Sequence, residues 1–270
     1  MANINPTASK YADLPYDNPP AVRYLPTTAA YDLWAAHYDH DANFLQALDS
    51  LAMKTLFPRL IAHVAKQPDG SPRPTPWKLV DLGCGTGRNT IALLDVPDAE
   101  VVAVDASPKM LEVAKGRVGE ATKASGRTGE VRFGIVDLLE NTEPPHMVQN
   151  ADALVSTLVL EHIPCETFFR QAAQMLKPGG WLLMTNMHSE MGGISQAGFV
   201  DPETGEKIRP KSYAHTPAEV LAAAESVGLV VEGQLEERAV DESLVEALGP
   251  RSRKWVGIKC WYGGLFRKVG

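Results

Sequence analysis

Residues 80–90 read VDLGCGTGRNT: an apolar run ends at Asp81–Leu82, and glycines then alternate at 83, 85 and 87. Glycine tolerates backbone conformations closed to other residues and lets a ligand come close to the main chain. A helix from Arg88 to Asp95 would then point its unpaired N-terminal amides at that ligand. Strand, tight turn and helix in this order form the opening unit of an α/β sheet.

The rest of the chain repeats that grammar. Short apolar runs at Lys78–Leu82, Glu100–Val104, Val131–Val136, Ala151–Thr157 and Trp181–Asn186 alternate with helical segments at Arg88–Asp95, Pro108–Gly119 and Pro164–Lys177. Runs such as VVAV, ALVSTLV and WLLM are apolar throughout, as expected of parallel strands covered on both faces. Thr216, Pro217 and Glu219 predict a capped helix that ends near Gly228, and Leu229–Val240 and Trp255–Val269 read as closing strands.

Before the glycine loop lie two further regions. Residues 1–28 are rich in proline and polar residues and read as an extended or partly disordered arm, with Tyr11, Tyr16 and Tyr24 available to lie along the body. Residues 29–76 read as a helical preamble and a Pro-rich linker. Leu45, Leu48, Ala52, Leu56 and Leu60 form one stripe at helical spacing, Pro58 should kink or divide the helix, and QPDGSPRPTP reads as the linker. Residues 77–270 form the main domain. Its segment 188–215 breaks the alternation and is long for a plain connection, so it reads as a lid over an acceptor.

The net charge of −7 argues against a nucleic-acid partner, which needs a clustered basic surface. No apolar stretch approaches a membrane span, and no basic segment followed by an apolar run opens the chain. Cys84, Cys165 and Cys260 are few, odd in number and far apart, which speaks against a disulfide framework and a zinc site. The expectation is a cytoplasmic protein with a small-molecule partner, no metal and no membrane association.

The glycine spacing is GxGxG; a dinucleotide fingerprint would need a glycine at position 88, which is Arg88. Asp81 at the mouth of the loop would repel a pyrophosphate but suits a ligand bearing an ammonium group. Asp105 closes the second strand twenty residues beyond Gly85, where a carboxylate can accept ribose hydroxyls, and Asp137 closes the third, where it could accept an adenine amine. Three acids at adjacent strand ends line the carboxyl edge of the sheet, where such folds bind ligands.

With these residues in view, the chain resembles the class I S-adenosylmethionine-dependent methyltransferases. It is most similar to the small-molecule branch that includes the ubiquinone/menaquinone C-methyltransferases and malonyl-carrier-protein O-methyltransferases. The matching segments are YDLWAAHYD, VDLGCGTG, VVAVDASPKML, FGIVDLLE, ALVSTLVLEHIP and LKPGGWLLMTN. The resemblance implies a Rossmann-like, doubly wound, seven-stranded sheet with the last strand antiparallel, and S-adenosylmethionine as cofactor. It implies that Gly83, Cys84, Gly85 and Gly87 line the methionine part, with Asp81 near the ammonium. Asp105 would hold the ribose, Ala106 and Met110 would flank the adenine, and Asp137 and Leu138 would meet its edge. Ser156 and Thr157 would lie near the sulfonium, and Tyr31, Trp34 and Tyr38 would cover the cofactor.

Methyl transfer from a sulfonium is an in-line displacement in which positioning is the main catalytic term. A base is needed only where the nucleophile must lose a proton. His162 and Glu161 are the candidates by location, ahead of His188 and His215. Met187, Met191, Phe199 and Tyr213 could line an apolar acceptor pocket, and Arg251, Arg253, Lys254, Arg267 and Lys268 make the C-terminus locally basic. The alternatives are a methyltransferase-like protein that uses the cofactor for a non-methylating reaction such as cyclisation, a non-catalytic cofactor-binding module, and a nicotinamide-dependent oxidoreductase, against which the absent GxGxxG counts.

Overall fold

The structure is a computed structural model that describes residues 22–125 and 130–269. Tyr11, Tyr16 and most of the proline-rich arm lie outside the described residues. In chain order the elements are β1 (Val22–Leu25), α1 (Thr27–Trp34), α2 (Phe44–Val64), β2 (Trp77–Leu82), α3 (Arg88–Leu93), β3 (Ala99–Asp105), α4 (Pro108–Ser125) and β4 (Val131–Ile135). They continue with β5 (Ala151–Thr157), α5 (Cys165–Met175), β6 (Leu176–Met187), α6 (Ser189–Ile194), β7 (Phe199–Val200), β8 (Lys207–Pro210) and α7 (Pro217–Glu225). The chain closes with β9 (Leu229–Val231), β10 (Glu236–Ala239), α8 (Val245–Leu248) and β11 (Lys259–Lys268).

The main sheet runs β10-β11-β6-β5-β2-β3-β4, with β9 also on β11. β4, β3, β2, β5 and β6 are mutually parallel, and β11 is antiparallel to β6. This is the expected seven-position sheet with its last strand reversed. The outermost position is shared by two strands: β9 pairs with Phe266–Lys268 and β10 with residues 259–263. Leu229–Val240 is therefore two strands, not one. Gly233 stands between them at φ 71°, a left-handed conformation that breaks pairing. The final strand begins at Lys259 because residues 250–255 coil into a 3₁₀ helix.

Side chains alternate across the sheet. Leu79, Val101, Val155 and Leu183 enter one core with the α2 stripe, while Val80, Val102, Leu154 and Leu182 enter the other with Phe168, Phe169 and Val220 of α5 and α7. α2 runs unbroken through Pro58, contrary to the expected division. Interior proline costs about 3 kcal/mol. Leu45, Leu48, Ala52, Leu56 and Leu60 are all buried on the sheet, each leucine contributing about 1.5–3 kcal/mol, and that outweighs the penalty.

The segment between α2 and β2 is pinned. Arg73 donates from Nε to the Val64 carbonyl at 2.8 Å, from Nη1 to Asp152 at 3.2 Å and from Nη2 to the Gly179 carbonyl at 3.1 Å. Residues 188–215 are also structured: α6 is followed by β7 and β8, and β8 takes β1 as a parallel neighbour. This three-stranded sheet packs Phe199 and Ile208 against Ala30 and Trp34 of α1, so the preamble and the segment after β6 form one cover over the carboxyl edge. α7 carries the expected capping box: Thr216 Oγ1 accepts from the Glu219 amide, and the Glu219 carboxylate accepts from the Thr216 amide at 2.8 Å.

Candidate functional site

At the carboxyl edge β2 and β5 each release the chain through a left-handed turn, and Asp105 ends β3. Gly83, Gly85 and Gly87 have φ of 71°, 53° and 85°. A Cβ at Gly83 would lie 2.4 Å from Val159 Cγ2, whereas at Gly85 it would meet nothing within 4 Å, so Gly85 faces open space. Asp105 at the end of β3 supports the loop from behind: its Oδ2 accepts from the Gly85 amide and its Oδ1 from the Ser107 amide, both at 2.8 Å. Burial raises the Asp105 carboxyl above its ordinary value, against those two donors. After β5, Leu158 adopts a left-handed φ of 57°, which non-glycine residues rarely take. It directs Val159 and the 3₁₀ turn Leu160–His162 back over the loop.

These turns enclose a cavity of about 280 Å³. Of the residues singled out from sequence, Tyr31, Tyr38, Gly83, Gly85, Asp105, Ala106, Asp137, Leu138, Thr157 and His162 line it. The others are placed differently, each for a visible reason. Asp81 is buried and accepts from Thr90 Oγ1 at 2.6 Å, because the first turn of α3 folds back within its reach. Burial pushes its carboxyl up to about 6. Cys84 turns into a small core with Leu111 and Ala114, and Gly87 packs against Ala114. Burial there holds the Cys84 thiol far above its ordinary value. Met110 and Ser156 are buried outside the cavity wall. Trp34 and Glu161 face a second pocket.

That second pocket, about 110 Å³, lies beside the first and shares Tyr31, Tyr38 and Leu158 with it, so these three side chains form a partition. Its wall includes Phe44, Leu45, Met187, Met191, Trp34 and Trp255, and its rim Asp41, Lys207, Arg251 and Lys254. Phe199 stacks on Trp34 at 4.9 Å and Tyr213 on His215 at 5.2 Å, so neither lines it.

The titratable groups gather at the partition. The Tyr31 hydroxyl lies 2.8 Å from His162 Nε2, and His162 Nδ1 lies 2.8 Å from the Lys211 carbonyl. A carbonyl only accepts, so Nδ1 carries the proton and donates to it, and Nε2 accepts from Tyr31. Burial lowers His162 to about 4, so the ring is neutral near pH 7. Glu161 Oε1 stands 3.7 Å from His162 Nε2, and burial raises its carboxyl to about 8. At that separation, with a neutral ring, the two do not form an ion pair. His188 and His215 are engaged elsewhere: His188 donates from Nε2 to Glu237 at 2.8 Å and accepts from the Glu190 amide, and His215 donates to the Ile163 carbonyl.

The preamble is latched over this site. Asp32 of α1 accepts from Ser107 Oγ and from the Lys109 amide at the start of α4. Asp39 accepts from Thr86 Oγ1 in the glycine loop at 3.0 Å and from Arg117 at 2.7 Å. Sequence reasoning missed Pro26, Thr27 and Thr28, which also line the larger cavity; a proline followed by two threonines before an apolar run was a legible helix start. Among the described residues no cluster of His, Cys, Asp and Glu could hold a metal ion, and no helix is long and apolar enough to cross a membrane.

Comparison with known proteins places the glycine loop in a known context. Residues 79–180 match the family described as a methyltransferase domain. The chain is 48% identical over 260 residues to an uncharacterized methyltransferase of Emericella nidulans, covering 90% of this chain and 91% of that one. It is 28% identical over 196 residues to the mitochondrial ubiquinone biosynthesis O-methyltransferase of Bos taurus, covering 70% of this chain and 50% of the bovine protein. Among solved structures, an S-adenosylmethionine dependent methyltransferase from Mesorhizobium loti superposes with a TM-score of 0.53 at 22% identity, over 78% of this chain and 96% of that one.

Proposed function

The chain belongs to the class I S-adenosylmethionine-dependent methyltransferases, and from that premise we propose that it methylates a small molecule held in the second pocket, with Glu161 as the base at the partition. The cofactor is S-adenosylmethionine, and the larger cavity fits it. Gly85 leaves room at the main chain, Asp105 and Asp137 offer carboxylate oxygens along one wall, and Ala106, Val136 and Leu138 supply an apolar slot between them. When bound, the cofactor supplies an electrophilic methyl on a sulfonium and leaves as S-adenosylhomocysteine.

The protein's own residues would do the following. Asp105 accepts the ribose hydroxyls, Asp137 and Leu138 meet the adenine edge, and the glycine loop, open at Gly85, receives the amino-acid end. Thr157 is fixed at the end of β5 because its hydroxyl accepts from Asn89 Nδ2 at 2.8 Å and from Arg88 at 3.2 Å. Tyr31 and Tyr38 close the top and keep water out. His162 is a positioning residue: with Nδ1–H on Lys211 and Nε2 taken by Tyr31, it fixes that hydroxyl between the two pockets and has no free lone pair for the acceptor.

The observation that carries this reading is the shared wall of Tyr31, Tyr38 and Leu158, with Glu161 on the acceptor side. A carboxyl raised to about 8 is a neutral acid below that pH and an anionic base above it. We therefore expect kcat/KM of the enzyme to rise with pH through an apparent pKa near 8. Glu161→Gln should remove that limb and lower kcat by roughly 10²–10⁴-fold, with the KM for S-adenosylmethionine little changed. A Glu161→Gln enzyme with wild-type rate and the same pH profile would remove Glu161 from the chemistry.

A small-molecule acceptor is supported by the size of the second pocket and by the kinship with the ubiquinone-pathway enzyme. Cys84, Cys165 and Cys260 are buried unpaired thiols, which supports a reducing compartment such as the cytoplasm.

A further inference from the structure

We propose that the acceptor is a small organic acid, anchored by its carboxylate at the Lys207–Arg251–Lys254 rim of the second pocket with its apolar part directed toward the partition. This rests on the reading of that pocket as the acceptor site.

Three cations meet at the rim from distant parts of the chain: Lys207 from β8, Arg251 and Lys254 from the turn before β11. One carboxylate answers them. Arg251 donates to the Asp41 main-chain carbonyl and to its carboxylate. Lys254 lies over the Trp255 ring at 5.2 Å, and among the described residues neither it nor Lys207 has a carboxylate within 4 Å; Asp41 acts on Lys207 from farther away. Glu161, at the far end of the same pocket, is neutral near pH 7. Three cations thus share the single Asp41 carboxylate in a chain whose net charge is −7. The ammonium of Lys207 is held below its ordinary pKa first by burial and then by Arg209 and Arg251, with Asp41 opposing them. An anion beside it would favour the charged form.

A second observation is independent of charge. Trp34 and Trp255, both in the pocket wall, are 2% and 4% exposed as residues, and their indole N–H groups are buried with no acceptor among the described residues. Buried donors are nearly always paired, and an unpaired one costs about 1–3 kcal/mol. Three cations at the rim of one small pocket fit a ligand that carries an anionic group of acceptor oxygens, and its wall holds two indole donors still without partners. The remaining wall of Phe44, Leu45, Met187 and Met191 suits a short apolar body.

The test uses the full chain saturated with S-adenosylhomocysteine and two probes of one shape, 3-phenylpropionate and its neutral amide, with binding followed by ligand-observed NMR. The acid should bind about tenfold tighter than the amide, and added salt should erase most of that gap. Lys207→Gln should abolish the preference, and Lys254→Gln should reduce it. The affinity for S-adenosylhomocysteine and the melting temperature should stay unchanged, which separates lost anchoring from lost folding. Equal binding of acid and amide, or no binding of either, would overturn the organic-acid assignment while leaving the cofactor cavity intact. If the wild-type chain failed to bind S-adenosylhomocysteine at all, the reading of both pockets would fall together.

Discussion

Asp105→Ala is expected to weaken S-adenosylmethionine binding about 100-fold, measured by titration calorimetry on the purified chain. On the proposed reading the carboxylate accepts two ribose hydroxyls, and each hydrogen bond to a charged group contributes about 1.5 kcal/mol, so roughly 3 kcal/mol is lost. The same substitution frees the Gly85 and Ser107 amides that Asp105 now holds at 2.8 Å, which loosens the loop and acts in the same direction. Asp105→Asn keeps an acceptor for one amide and should fall between alanine and wild type. An unchanged Kd for Asp105→Ala would remove Asp105 from the cofactor site.

The second large effect is on stability. Asp49 is fully buried in α2, where Oδ1 accepts from Thr185 Oγ1 at 2.6 Å and from Trp261 Nε1 at 2.9 Å, and Oδ2 accepts from Arg88. One side chain thus ties the preamble helix to β6, β11 and the first turn of α3. Arg88 in turn reaches Thr157 in the cavity wall. Asp49→Ala strands a hydroxyl, an indole N–H and a guanidinium together. Truncating one partner of a buried pair costs about 3–5 kcal/mol, and the partial exposure of Arg88 argues for the lower figure. We expect about 3 kcal/mol and a drop in Tm of roughly 6–12 °C. Asp49→Asn, which still accepts from Thr185 or Trp261, should lose less. A melting curve identical to wild type would show that the network contributes nothing to stability.

The contrast between these two aspartates tracks what a sequence can disclose. The place of Asp105 in the cavity wall was legible because it is local: it ends an apolar run twenty residues beyond Gly85, and the fold puts that strand end beside the loop. The glycines were legible because left-handed backbone demands them. The capped start of α7 was legible because its partners are three residues apart. Asp81 was misplaced because the competing partner, Thr90, approaches only once α3 has formed its first turn. Pro58 was misjudged because local propensity weighed more on paper than the leucine stripe does on the sheet. Asp49 and the second pocket were out of reach for one reason: Asp49 meets Trp261 across 212 positions, and the pocket joins Trp34, Lys207 and Arg251. Such meetings follow from packing rather than from any motif.

The most direct test of the central claim, that the glycine-loop cavity is an S-adenosylmethionine site, is thermal denaturation of the full chain with S-adenosylmethionine, S-adenosylhomocysteine and NAD in turn. A ligand at one hundred times its Kd adds about 2.7 kcal/mol to the folded state. The two sulfur ligands should therefore raise Tm by roughly 5 °C or more, and NAD should leave it unchanged. Stabilisation by NAD with none from S-adenosylmethionine would contradict the account.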